Sequence, residues 1–291
     1  MHLSFAGATL TGQGNAPGTA LPTFVRSHSV IDASFRATGR GTALHRSYQA
    51  GNLRLRLPHP ERAGEMPCAV VINTAGGIAG GDSLDQSFAW EPGAAAIVTS
   101  QAAEKVYRAL GQAARIATRI EVGAGATAEW LPQETILFDG CVLAREARVL
   151  LADGASFLGV EALVLGRRAS GEVVRSASLR DRLRIWRGGR LVYADALVLG
   201  GDVERLMQRA GVGSSAGAMA VLVHASDRAA ELIAPVREAI QGARGRAAAS
   251  AWNGLLAVRL LASDGETLRH DVALALAPLR GGRPLPRVWR C

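Results

Sequence analysis

Apolar and polar residues alternate with a period of two through much of this chain, from Ala33 to about Leu199. Ile116, Thr118, Ile120 and Val122 fall on one side of an extended segment, with Arg115 and Arg119 on the other. That is the pattern of a half-buried strand, because successive side chains of a strand point to opposite faces. Gly123 to Ala126 then supplies a turn, and a further strand starts near Ala128. Leu183 and Ile185 precede Gly188-Gly189, and Leu191-Val192-Tyr193 follows. Two glycines can both take a positive φ, so this segment predicts a hairpin. Turn residues recur at Gly93, Gly123, Asp153-Gly154, Gly171 and Gly188-Gly189. Short strands at such spacing predict an all-β stack, barrel or solenoid rather than alternating βαβ units.

Helical periodicity emerges only late. Leu232, Ile233, Val236 and Ile240 share one face of a segment that Pro235 breaks or restarts. Leu268, Val272, Ala275, Leu276 and Leu279 make a second face, closing at Pro278 and Gly281-Gly282. Residues 1–30 carry turn formers without periodicity and read as a loose N-terminal tail. No Ser/Gly/Pro linker interrupts the rest, so 31–291 is expected to form a single β-rich domain.

Composition narrows the class. The chain has 291 residues, 48% of them hydrophobic, and no apolar run long enough to span a bilayer. The start lacks the order of a signal peptide, and Cys68, Cys141 and Cys291 form no CxxC pair, which suits a reducing cytoplasm. The formal charge is +8 and the pI about 10.5, a balance that raises the question of nucleic acid. The basic residues do not cluster, however, and aromatics make up only 5%, too few for a base-stacking platform. Lys105 is the sole lysine. The plain reading is an arginine-rich solvated surface, and the sharper one is an affinity for acidic protein partners, since arginine is favoured at interfaces.

Three motifs bear on chemistry. Asn73 to Asp82 carries Gly76-Gly77 and Gly80-Gly81 after the apolar run Ala69-Val70-Val71-Ile72. A phosphate loop needs a helix to follow. Here Leu84, Phe88 and Trp90 alternate with polar residues as in a strand, so the glycines predict a close approach of backbone segments. Gly213-Ser214-Ser215-Ala216-Gly217 matches GxSxG, with His224, Asp264 and His270 downstream, which raises a serine hydrolase using Ser215 as the alternative function. A nucleophile elbow requires a strand before the serine and a helix after it. The segment before Ser215 is no buried strand, and Met219 to Val223 after it reads as one. Finally, Glu129, Glu134, Asp139 and Glu161 interrupt apolar strand segments. Carboxylates there must be paired with arginine or must line a wet interior path.

These segments also carry a resemblance. Asn73-Thr74-Ala75-Gly76-Gly77 with Gly80-Gly81-Asp82, then Thr99 to Arg108, Glu129 to Glu134, Phe138-Asp139-Gly140, Phe157 to Glu161, Leu165-Gly166-Arg167, Trp252 to Leu256 and Leu285 to Trp289 occur in order along the chain. Together they resemble the UreD (UreH) family of urease accessory proteins. Asn73-Thr74 stands where members often carry His-Pro or His-Thr, and Val160 where a Trp is common. The resemblance implies a mainly β fold, a β-solenoid or β-helical stack of antiparallel and parallel strands with two helices in the C-terminal region. It implies a cytoplasmic, non-catalytic scaffold that binds UreF, the GTPase UreG and the urease structural subunits, and that helps deliver nickel to the urease active site. No cofactor is expected to be tightly bound, and nickel would be in transit. Asp82, Glu134, Asp139 and Glu161 are then the candidate transient nickel ligands, since a path needs weak oxygen donors rather than trapping thiolates. Glu134 and Asp139 could instead hold arginines such as Arg145 or Arg167. Part of the Leu232/Val236/Ile240 and Leu268/Val272/Leu276 faces is expected to meet UreF.

Overall fold

The computed structural model describes residues 26–290 apart from 61, 63, 168 and 169. The expected tail therefore lies largely outside the described residues, but its last members, from His28 to Val30, already belong to the first strand.

The repeated alternation of apolar and polar residues builds two sheets that face each other. The first contains β1 (His28–Thr38), β2 (Gly41–Ala50), β5 (Ser83–Trp90), β8 (Ala114–Val122), β11 (Val142–Leu151), β13 (Ser176–Arg187) and β14 (Arg190–Asp202). The second contains β3 (Leu53–Arg56), β4 (Cys68–Asn73), β6 (Ala95–Ser100), β9 (Thr127–Leu131), β12 (Ser156–Leu165), β15 (Ala218–Ala225), β16 (Arg246–Trp252) and β17 (Leu255–Ala262). In the middle of the chain successive strands alternate between sheets, and each pairs in parallel with the strand one circuit earlier: β5 with β8, β8 with β11, β4 with β6, β6 with β9 and β9 with β12. The chain thus winds as a β-solenoid, the arrangement that the resemblance implies. Antiparallel pairs β1–β2 and β13–β14 flank the parallel strands of the first sheet. The β13–β14 turn is the predicted glycine hairpin, with φ of 54° at Gly188 and 77° at Gly189.

The inward positions of both sheets form one apolar core, with Phe35, Phe88, Trp90, Leu143, Phe157 and Leu179 almost fully enclosed. A second core lies on the other side of the second sheet, under α2 (Ile233–Ala239) and α3 (Gly265–Leu279). Asp264 caps α3 by accepting the amide hydrogen of Thr267 at 2.8 Å. Pro235 falls in the first turn of α2, where a missing amide hydrogen costs little, and Pro278 falls in the last turn of α3. The sequence pattern missed the short helix α1 (Val203–Gln208) and the β16–β17 hairpin. Asn253-Gly254, with φ of 46° and 74°, is the signal that marks that hairpin.

Of the apolar helix faces, Leu232 and Ile240 are only half-buried. Val236, Leu268, Val272 and Leu276 are buried against the second sheet. A β layer with an apolar outer face needs such a cover, and the helices supply it. Replacing Val272 by Asp places an unpaired carboxylate in this core, so we expect a loss of at least about 3 kcal/mol. Urea titration followed by circular dichroism measures it; a variant as stable as the parent would mean that α3 is not seated as described.

Candidate functional site

The corners between the two sheets stack as strictly as the strands do. Ile78, Val106, Leu137 and Leu165 lie one above another in parallel pairing, which gathers β7 (Glu104–Val106), β10 (Thr135–Leu137) and the end of β12 into a short third face. Segments far apart in sequence meet there. Tyr107 donates its hydroxyl hydrogen to the Gly76 carbonyl at 2.9 Å and packs edge-on against Phe138, and the Arg167 guanidinium lies 4.3 Å from the Phe138 ring centre. Gly77 has φ of 154°, and a Cβ there would run into the Tyr107 ring and stand 2.9 Å from the Lys105 carbonyl. Gly80 comes equally close to Ala109. The glycine segment serves close backbone approach, as its strand-like sequel implied.

Three of the four candidate nickel ligands are tied into these corners. Asp82 accepts the amide hydrogens of Ser27 and Ala79, each at 2.8 Å. Asp139 accepts those of Arg175 and Ser176 at 2.9 Å and pairs with Arg108 at 2.6 Å. The Ser176 amide, with Arg175 and Arg108, holds its carboxyl below the usual aspartate range. Glu134 pairs with Arg269 of α3 at 3.2 Å. Neither carboxylate therefore takes Arg145 or Arg167 as its partner. Glu129, also flagged by its apolar setting, is enclosed with Arg280 at 2.9 Å and is bound by Arg283 as well.

Glu161 differs. It points between the sheets, where Trp130 donates its indole hydrogen at 3.1 Å and Arg145 approaches at 2.8 Å. Arg145 grips Asp181 through two bonds, at 2.9 and 2.6 Å, and reaches Thr135 at 3.2 Å. One buried guanidinium thus serves two carboxylates. Burial opposes its charge, yet Asp181 and Glu161 hold Arg145 cationic, while burial pushes the Glu161 carboxyl above its ordinary range. Arg145 and Glu161 line two cavities. One of about 280 Å³ is also bordered by Asp181, Asp195 and Arg259, the last two paired at 2.9 Å. The other, about 70 Å³, is bordered by Glu104, Thr135 and Gln133.

Sequence reading named Arg145 as a partner for Glu134 or Asp139 rather than for Glu161, passed over Asp181, which looks like any other charged residue of a strand, and did not single out Glu104 from its motif. Asn73 donates to both Glu104 oxygens at 3.1 Å. Burial, against the bonds from Asn73 and the Lys105 amide, raises Glu104 to about 7.

The GxSxG serine has no catalytic setting. Ser215 sits in a loop after α1, with φ of 67°, and β15 follows it. His224 bonds to Ser226 at 2.8 Å, Asp264 caps α3, and His270 bonds to Asp271. A nucleophile elbow, with its strand before and helix after, is not formed.

The raised acidity constant of Glu104 has a thermodynamic consequence. A carboxyl whose folded value lies above its unfolded one favours folding below about pH 4.5, and that contribution disappears as pH rises through about 7. Glu104→Gln should remove this slope and stabilise the protein at neutral pH by up to about 3 kcal/mol. Denaturant midpoints from pH 4.5 to 8 test it; parallel profiles for parent and variant would reject the buried-carboxyl assignment.

Comparison with known proteins agrees with this architecture. The family described as "UreD urease accessory protein" matches residues 27–290. The urease accessory protein UreD of Rhizobium rhizogenes is 44% identical over 265 residues, covering 87% of this chain and 95% of that protein. That of Azorhizobium caulinodans is 45% identical over 241 residues, covering 83% and 88%. The urease accessory protein UreD 3 of Methylorubrum extorquens is 48% identical over 244 residues, covering 83% and 81%. Matches of this extent, on a solenoid without a catalytic serine site, show that the chain belongs to the UreD family, as an accessory protein of urease maturation and not an enzyme.

Proposed function

We propose that this protein is a cytoplasmic scaffold that binds UreF, UreG and the urease structural subunits and passes nickel to the urease active site through the space between its sheets. Among the described residues, no helix is long and apolar enough to cross a membrane. The observation that carries the reading is Glu161, a carboxylate on the wall of both interior cavities. Arg145 is anchored on Asp181 by two bonds but holds Glu161 by one. A divalent cation can therefore take the Glu161 oxygens while Arg145 stays with Asp181, so the buried arginine is never stranded without a partner. Glu104, bordering the smaller cavity, gives a second oxygen donor, and near neutrality it can release its proton to an arriving cation. Thr135, whose hydroxyl oxygen accepts from Arg145 at 3.2 Å, adds a neutral oxygen beside it. Hard, dispersed donors bind nickel weakly enough for release, which transit demands. Asp82, Glu134 and Asp139 belong to this reading as the ties that hold the corners of the path, through amide groups, Arg269 and Arg108.

Glu161→Gln removes the charge and keeps the shape. Cells carrying it should assemble the accessory complex with urease normally, yet at limiting nickel their urease should contain several-fold less metal and show correspondingly less activity. Excess nickel should restore most of it. Full nickel content at limiting supply would eliminate Glu161 from the route, whereas loss of the assembled complex would assign it to folding or docking.

A further inference from the structure

The outward face of the first sheet has a charge pattern that folding alone does not explain. On β5, β8, β11 and β13 the outward positions include Arg115, Arg119, Arg148, Arg180, Arg182 and Arg184, against only Asp85, Glu121 and Glu146. The register sets Arg119 directly opposite Arg148, and Arg148 directly opposite Arg184. Like charges facing one another across strands destabilise a sheet. Glu146 is shared by Arg148 and Arg184, at 3.0 and 2.9 Å, while Arg115 takes Asp85 and Arg119 takes Glu121. Arg180 is exposed with no ion pair among the described residues, while Arg182, also exposed, stands opposite Glu146 in the register and acts on that carboxylate from beyond ion-pair distance. Residues 1–25 contain no Asp or Glu, so that segment has no carboxylate to offer them.

The surface is also shaped. A groove of about 630 Å³ runs over these strands, with Ala117 and Ala144 on its floor and the arginines rising beside them. Small floor residues let a chain lie close to the sheet, and long side chains on either side can then reach its carboxylates from both flanks.

We infer that this groove docks an acidic segment of a partner protein. Asp85 and Glu146 stand among the arginines, where a continuous phosphate chain would have to pass them. A polypeptide can place neutral residues at those points and carboxylates at Arg180 and Arg182. Of the aromatic rings on the four strands, Phe88 and Trp90 are buried and Trp186 is half-buried, so no row of open rings is offered for base stacking. These side chains point away from the space between the sheets, although the groove's lining also includes Arg145, whose guanidinium faces that space.

The test uses the full chain and a fluorescent peptide of alternating Glu and Ser, with fluorescence anisotropy read at low and physiological salt. Arg180→Glu with Arg182→Glu should weaken binding about tenfold or more. Arg228→Glu with Arg244→Glu makes the same charge change on the helix-bearing side and should leave it within about twofold of the parent. Arg180→Gln with Arg182→Gln should give an intermediate loss at an unchanged melting temperature, which keeps the result readable if the glutamates impair folding. Equal losses from both glutamate pairs would reduce the effect to bulk charge and overturn the inference. So would an oligothymidylate of equal charge that binds more tightly than the peptide through Arg180 and Arg182.

Discussion

A strand that pairs in parallel with its predecessor must first be carried round the molecule, because the two ends to be joined lie at opposite edges of the sheet. Between β4 and β13 the chain meets this requirement by crossing to the other sheet and back, and the pairing register then repeats with every circuit. The corners inherit that register. Asn73, Glu104, Tyr107, Phe138 and Asp139 are thereby held in one ladder, although nothing in their local sequence brings them together. Backbone hydrogen bonding sets the geometry, and the glycines at 77 and 80 permit the closest approaches within it.

The same winding sets the terms on which charge is admitted to the interior. Arg145 on one sheet and Glu161 on the other face each other because β11 and β12 are consecutive passes of one circuit, while Asp181 arrives from the next. A buried guanidinium with two carboxylates leaves one of them under-compensated, and that is an expensive arrangement for stability alone. By contrast, the buried Glu129 has two cations, the enclosed Arg280 and the solvent-exposed Arg283, and this cluster ties the end of α3 to the sheet beneath. One charged cluster closes a joint, and in the other a single arginine is divided between two carboxylates.

The sequence makes the first kind of information legible and hides the second. Period-two alternation from Ile116 to Val122 marks a strand and its buried side, and Gly188-Gly189 marks a turn, because both are local consequences of backbone geometry. Glu161 could be noticed because it interrupts an apolar run. Arg145 could not, since Ala144-Arg145-Glu146-Ala147-Arg148 has the composition of a solvated strand, and only the direction of alternate side chains distinguishes Arg145 inside from Arg148 outside. The helix faces at Val236 and Val272 were misread as partner surfaces for a related reason: periodicity shows that a face is apolar but not what covers it. Here the cover is the second sheet itself.

The antiparallel pairs beside the parallel strands bear on how this protein behaves at high concentration. A solenoid of parallel circuits would otherwise end in open strands able to receive the next copy, and repetition of that contact has no natural stopping point. Reversing direction at β2 and β14 gives the first sheet edges that no longer match the periodicity of the coil. β2 adds Arg46, ion-paired with Asp32, while β14, which is 13 residues long and exposes Leu191 and Val198, depends on the reversal of direction and on Gly200-Gly201 close to its end. In a cell, that difference separates a discrete particle from a growing fibre.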